Sequence, residues 1–202
     1  MENLEFIEEG LEQEQEYSEI LSTSDEYVYE TYDFCDEQFL EDCTTSAVQE
    51  FFEADEYRHP PYVEANVEQR AQYLMEFHDN FSKQTGYANN LHFVNGMDPE
   101  DCGAFNPDTK RININANLLK DDNAKEIMDT IMHESRHAYQ DFAITHPELV
   151  SVDMETIRSW EYNINHYISP EFDIEAYNYQ PVEADANDFA ERMYYEGLCN
   201  VA

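Results

Sequence analysis

Basic side chains are scarce in this chain: 10 Lys+Arg stand against 46 Asp+Glu in 202 residues, leaving a formal net charge of −36. Binding to a phosphate backbone works by displacing condensed counterions with Lys and Arg, so nucleic acid is excluded as an expected ligand. No apolar run exceeds three residues, whereas a bilayer-spanning helix needs about 20, so no membrane association is expected. The start, Met1-Glu2-Asn3-Leu4-Glu5, lacks the basic stretch of a secretory signal. A cytoplasmic protein is therefore expected, with a non-Sec export route as an effector left open. Cys35, Cys43, Cys102 and Cys199 form no C-x-x-C pair and no zinc-ribbon spacing. Free thiols are the expectation, with a Cys35–Cys43 bridge as the alternative. Glycine is sparse too, at 5 residues, and few strand candidates accompany it, which leaves a helix-rich α+β domain as the expected fold class.

Apolar and aromatic residues are plentiful. Hydrophobic residues make up 42% of the chain, with 15 Tyr and 12 Phe, enough to bury one compact core and too much for wholesale disorder. The acidity is uneven: more than half of the net charge falls in residues 1–60, where Arg58 is the sole Lys or Arg. Tyr17, Tyr27, Tyr29, Tyr32, Phe34, Phe39, Phe51 and Phe52 are interleaved with those acids, unlike a plain solvating tail. Residues 1–60 therefore read as a helical or partly disordered acidic segment, either a solvated arm or a piece that docks on the domain or a partner. Pro60-Pro61 marks a break, and residues 61–202 form the main domain. So strong a charge keeps a protein soluble and favours a monomer.

Within the main domain, Val67, Ala71, Leu74, Phe77 and Phe81 recur at three- and four-residue steps and predict a helix ending near Lys83. Leu91-His-Phe-Val is a short strand candidate. Residues 103–116 predict a hairpin, because Asn106-Pro107-Asp108 is turn chemistry and Ile112, Ile114 and Ala116 alternate with Asn113 and Asn115. Asp121-Asp122-Asn123 then offers helix caps, and Ile127, Met128, Ile131, Met132, Ala138 and Phe142 carry helical periodicity to about Ile144. Helix is also expected around Trp160, with an interruption at Pro170, and a last helix opens at Pro181 and runs to Gly197.

The central helix contains Met132-His133-Glu134-Ser135-Arg136-His137. Residues four apart share a helix face, so His133 and His137 can aim both imidazoles at one ion, with Glu134 beside them as a general base. Zinc fits that pattern: its catalytic sites use three protein ligands and one open position. Random order would give H-E-x-x-H in about one chain in thirty of this composition, so its place on a helix directly after a strand matters. Composition alone cannot choose the third ligand. Glu183 stands out because Pro181 starts a helix and places it in the first turn. Asn187, four residues on and on the same face, is placed to hydrogen-bond the free ring nitrogen of a ligand histidine.

H-E-x-x-H on a helix after a strand, followed by Glu183-Ala-Asp-Ala-Asn187-Asp-Phe-Ala190 on a later helix, resembles the gluzincin metallopeptidases. The likeness is closest to the small ImmA/IrrE-like branch and to zincin-like domains of bacterial toxins and mobile elements, and it covers about residues 110–195. It implies a minimal zincin-like fold with a small antiparallel-containing sheet, an active-site helix and a C-terminal ligand helix. It also implies that His133, His137 and Glu183 bind Zn2+, that Glu134 is the catalytic base, and that a protein or peptide is the substrate. The acidic surroundings favour a basic one. The strand Arg111–Ala116 is then the edge on which an extended peptide adds. His166, Tyr177 and Tyr179 are candidates to stabilise the oxyanion. Arg136 is expected in a salt bridge, and His146 at a helix end. Two features depart from the branch: 46 positions separate His137 from Glu183, and an acidic segment precedes the domain where ImmA-like peptidases are usually partnered by a DNA-binding repressor. The competing readings are a non-catalytic zinc-containing protein and an acidic binding protein, either a partner-docking module or a nucleic-acid mimic.

Overall fold

The computed structural model describes residues 35–83, 85 and 90–201; the expectations for residues 1–34 lie outside them. The described residues form six α-helices and one three-stranded sheet, a helix-rich α+β arrangement. Helix α1 (Glu37–Asp55) is capped by Asp36, whose carboxylate accepts the Phe39 N–H. It buries Leu40, Cys43, Ala47, Val48 and Phe51, a three- and four-residue spacing that turns one stripe inward. Helix α2 (Val67–Ser82) starts with a reciprocal capping box between Asn66 and Gln69 and buries Ala71, Leu74, Phe77 and Phe81.

Strands β1 (Asn90–Val94), β2 (Gly103–Asn106) and β3 (Arg111–Asn115) follow, in the spatial order β1-β3-β2. The hairpin expected around Asn106-Pro107-Asp108 is present: β2 and β3 are antiparallel, and Asn106 Oδ1 accepts the N–H groups of Asp108 and Thr109. β1 pairs with β3 in parallel. This ordering corrects one expectation. The strand Arg111–Ala116 is not an edge, because β3 is bonded on both sides; the edge on the side of the central helix is β2. Its position is tight. A Cβ on Gly103 would come within 2.9 Å of Thr130 on the next helix and 3.1 Å of the Asn113 carbonyl.

Helix α3 (Lys125–Thr145) is the centre of the molecule, with Ile127, Met128, Ile131, Met132, Ala138, Tyr139 and Phe142 in the core. Helices α4 (Met154–Asn165), α5 (Ile174–Tyr179) and α6 (Pro181–Asn200) complete the chain, and α6 packs along both α3 and α1. Pro181 takes the first helical position of α6, as its sequence position predicts.

The expected division at residue 60 also needs correction. α1 shares one continuous core with α2, α3 and α6, and Gly197 of α6 approaches Val48 so closely that a Cβ would meet it at 2.5 Å. Residues 37–55 are therefore part of the main domain. The high density of Glu and Asp on the outer face of α1 hides an ordinary amphipathic stripe. Cys35, Cys43, Cys102 and Cys199 form no disulfide, so the alternative of a Cys35–Cys43 bridge is not seen. Among the described residues, no helix is long and apolar enough to cross a membrane.

Candidate metal centre

α3 and α6 cross where His133, His137 and Glu183 meet, and the potential ligand atoms of all three lie within 4.8 Å of one another. The two histidines are one turn apart on α3, with ring centroids 4.7 Å apart and planes nearly perpendicular. Their Nε2 atoms are 3.0 Å apart. Glu183, in the first turn of α6, brings Oε2 to 3.3 Å from His133 Nε2 and Oε1 to 3.4 Å from His137 Nε2. Zinc bonds of about 2.0–2.1 Å in a tetrahedron place neighbouring ligand atoms about 3.3–3.4 Å apart. The two contacts from the carboxylate to the imidazoles have that size, and the two Nε2 atoms, at 3.0 Å, are somewhat closer.

The surroundings orient each ligand. Gln140 donates its amide nitrogen to Val182 O at 3.0 Å and to Asp185 Oδ2 at 2.7 Å, which turns its carbonyl oxygen towards His137 Nδ1 at 2.9 Å. Nδ1 must then carry the hydrogen, and the lone pair of the neutral ring sits on Nε2, facing the cluster. Burial opposes an imidazolium at His137, but Glu183, Glu134 and Gln140 outweigh it and raise the group to about 9. Glu183 is 1% exposed. Burial alone would raise its carboxyl, yet hydrogen bonding to His133 and His137, with Tyr167, holds it well below the usual carboxylate range. The Tyr167 hydroxyl donates to Glu183 Oε1 at 2.7 Å, while Oε2 is buried and has no well-formed hydrogen bond. A buried, ionised oxygen satisfied only by a long 3.3 Å contact to His133 Nε2 is costly, and a cation relieves it. Donor chemistry, spacing and the orphaned oxygen thus fit a zinc ion held by His133 Nε2, His137 Nε2 and Glu183 Oε2.

Glu134 lies beside the cluster, and its Oε2 accepts the Phe105 N–H of edge strand β2 at 2.7 Å. Hollows open on both sides of it. One, of about 440 Å³, is walled by β2, the β2–β3 turn, Ile164, Tyr167 and Val182. The other, of about 550 Å³, is walled by residues 100–103, Asp129, Asn187 and Glu191. His133, Glu134, Gly103 and Tyr177 border both, so they form one groove running past the cluster.

Of the residues expected from sequence, His133, Glu134, His137 and Glu183 come together. Asn187 does not hold an imidazole: it is exposed in the second hollow, and among the described residues no hydrogen bond joins it to either histidine. Gln140 takes that place, three residues beyond His137 on the same helix. Among the oxyanion candidates, Tyr177 borders the groove, Tyr179 is 78% exposed and His166 stacks on Tyr162 away from the cluster. Tyr167 also belongs to the site, although nothing in its sequence neighbourhood marks it among the 15 tyrosines. Arg136 forms the expected salt bridge, a buried fork to Asp185 at 2.8 and 2.9 Å with Glu37 at 2.6 Å, enclosed by Tyr139, Trp160 and Phe189. His146 caps the end of α3 and stacks on Phe142.

The fold and the cluster define a class of site: two histidines and a carboxylate at a helix crossing, with a second carboxylate tied to a sheet edge. No protein-family model, curated protein or solved structure matches the chain.

Proposed function

We propose that this protein is a zinc-dependent metallopeptidase of the gluzincin type, with His133, His137 and Glu183 as zinc ligands and Glu134 as general base. One observation carries the reading: the buried Glu183 carboxylate faces both imidazoles, with Oε2 at 3.3 Å from His133 Nε2 and Oε1 at 3.4 Å from His137 Nε2, and Oε2 has no well-formed hydrogen bond. Bound there, zinc supplies Lewis acidity to a carbonyl oxygen and to a water.

Glu134 handles the proton. Its Oε2 is anchored on the Phe105 N–H, so Oε1 is the atom that accepts a proton from the attacking water and returns it to the leaving amine nitrogen. Backbone N–H and C=O of one residue point the same way on an antiparallel strand. Gly103 therefore turns both groups away from β3 along the groove, where an extended peptide adds as a further strand. The second hollow carries Glu100, Asp101, Asp129 and Glu191 against Lys125, which supports a basic peptide as substrate by electrostatic attraction. The net charge supports a monomer.

The test is Glu134→Gln. The variant should keep one zinc per chain by elemental analysis and lose at least about a hundredfold in turnover of a mixed peptide pool followed by mass spectrometry. Zinc-loaded wild-type protein that cuts nothing overturns the reading in favour of a non-catalytic binding protein, and a variant as active as wild type overturns Glu134 as the general base.

A further inference from the structure

We propose that the exposed apolar rim formed by residues 162–179 is a docking surface for a basic amphipathic helix of a partner protein. The inference does not rest on the peptidase reading: Phe172 and Tyr179, the most exposed apolar side chains of the rim, line neither hollow.

The end of α4, the loop after it and α5 carry Tyr162, Ile164, Tyr167, Phe172, Ile174 and Tyr179, all exposed. From residue 164 to residue 179 nothing is buried, and α5 contributes no side chain to the core. These side chains adjoin one another. Ile164, Tyr167 and Tyr177 wall one hollow, Tyr177, Pro170 and Ile174 wall the other, and Phe172 lies between Pro170 and Ile174 in the chain. Contiguous exposed apolar surface marks an interaction site, whereas single exposed apolar residues do not. The rim is also held in one shape without a partner. Buried Gln180 closes its base: Oε1 accepts the Asn163 amide at 2.9 Å and the Ile168 N–H at 3.1 Å, and Nε2 donates to Ile168 O at 3.0 Å. Asp173 caps α5 by accepting the N–H groups of Glu175 and Ala176. A surface fixed in advance loses little entropy on binding.

Charge selects the occupant. No Lys or Arg occurs between Arg158 and Arg192, while Glu161, Glu171, Asp173 and Glu175 are interleaved with the apolar residues and exposed. An anionic lipid surface is repelled, and a second copy would set the same carboxylates against themselves. A partner with Lys or Arg flanking large apolar side chains complements both features. The rim is built from two helices and a loop and offers no strand edge, so an extended segment would find no backbone partners there. A helix, with its own backbone bonds satisfied internally, meets the rim through side chains alone.

The experiment titrates full-length protein with a Lys/Leu peptide that carries Leu at helical spacing on one face. A scrambled peptide of the same composition and charge is the comparison. The amphipathic peptide should bind about tenfold or more tightly than the scrambled one, and Phe172→Ser with Tyr179→Ser should remove that difference. Glu161→Gln, Glu171→Gln and Glu175→Gln together should weaken binding several-fold, whereas Glu64→Gln, Glu68→Gln and Glu148→Gln, the same change of charge elsewhere, should not. All these positions are exposed, so the variants keep the fold, which circular dichroism checks. Equal affinity for the two peptides, an unaffected serine variant, or equal weakening by the two charge sets overturns the inference, because the attraction is then diffuse. Analytical ultracentrifugation at high salt covers the remaining occupant: self-association that the serine variant abolishes would assign the rim to a second copy and overturn the inference as well.

Discussion

A neutral imidazole has one lone pair, and at His137 the choice of nitrogen is made by a neighbour that is itself locked in place. Gln140 is held by Val182 and Asp185 and presents only its carbonyl oxygen to Nδ1. In the metal-free chain the same ring binds a proton tightly, because Glu183 and Glu134 raise it from 6.5 to about 9 against the effect of burial. Folded-state affinity for that proton exceeds unfolded-state affinity, so this pair stabilises the metal-free chain fully below pH 6.5 and stops doing so as the pH rises through about 9. Zinc competes with the proton. Uptake at pH 7.5 should therefore release about one proton per ion, and zinc affinity should climb with pH up to about 9. Calorimetry in two buffers of different ionisation enthalpy measures the release; no dependence on the buffer would contradict it. Tyr167 acts on the third ligand in a comparable way. By occupying Glu183 Oε1 it leaves Oε2 open to the proposed ion, so Tyr167→Phe should weaken zinc binding about ten- to a hundredfold in a chelator competition, the usual cost of losing a partner of a ligand.

At the scale of elements, the site is assembled from a helix crossing, an edge strand and the long connection between them. α3 supplies both histidines and Glu134, α6 supplies Glu183, and α1 braces that crossing from behind through Glu37 on Arg136, Glu41 on Arg192, and the close passage of Gly197 past Val48. Deleting residues 1–60 should consequently unfold the protein rather than uncover its groove, since Leu40, Ala47, Val48 and Phe51 leave the core with α1. Near-UV circular dichroism reads the outcome, and a folded, more active product would mean that this segment only covers the site. The elements with strong local signals were legible in the sequence: the periodic face of α2, the Asn106-Pro107-Asp108 turn, the length of α3 and the start of α6 at Pro181. His133, Glu134 and His137 were legible because their spacing matches a helical turn, and Glu183 because Pro181 fixes where its helix begins. What escaped has a non-local cause. The parallel pairing of β1 with β3, which makes β2 the edge, depends on which strands meet in space. Gln140 and Tyr167 gain their roles from residues 42 and 16 positions away. Asn187 shares a face with Glu183, but that face has turned into the second hollow by the next turn of α6.

For the whole molecule, a net charge of −36 means that compaction works against self-repulsion, and the cluster adds a buried carboxylate to that strain. Zinc bound as proposed would answer both at once, because it would neutralise Glu183 where the surrounding dielectric is low and tie α3 to α6 at the centre of the core. A ligand that binds only the folded state adds stability in proportion to the logarithm of its concentration over Kd, about 4 kcal/mol at a thousandfold excess. For a chain of this size that corresponds to a rise in Tm of roughly 8–16 °C. Stripping the protein with a strong chelator should lower its melting midpoint by that order, and zinc add-back should restore it, whereas magnesium, which prefers an octahedral shell of oxygens, should not. Glu183→Gln separates a specific site from diffuse screening of surface charge. If zinc acts only as a counterion, the variant will still melt higher in its presence. If zinc sits on the two imidazoles and Oε2, the shift will collapse although almost the entire surface charge remains.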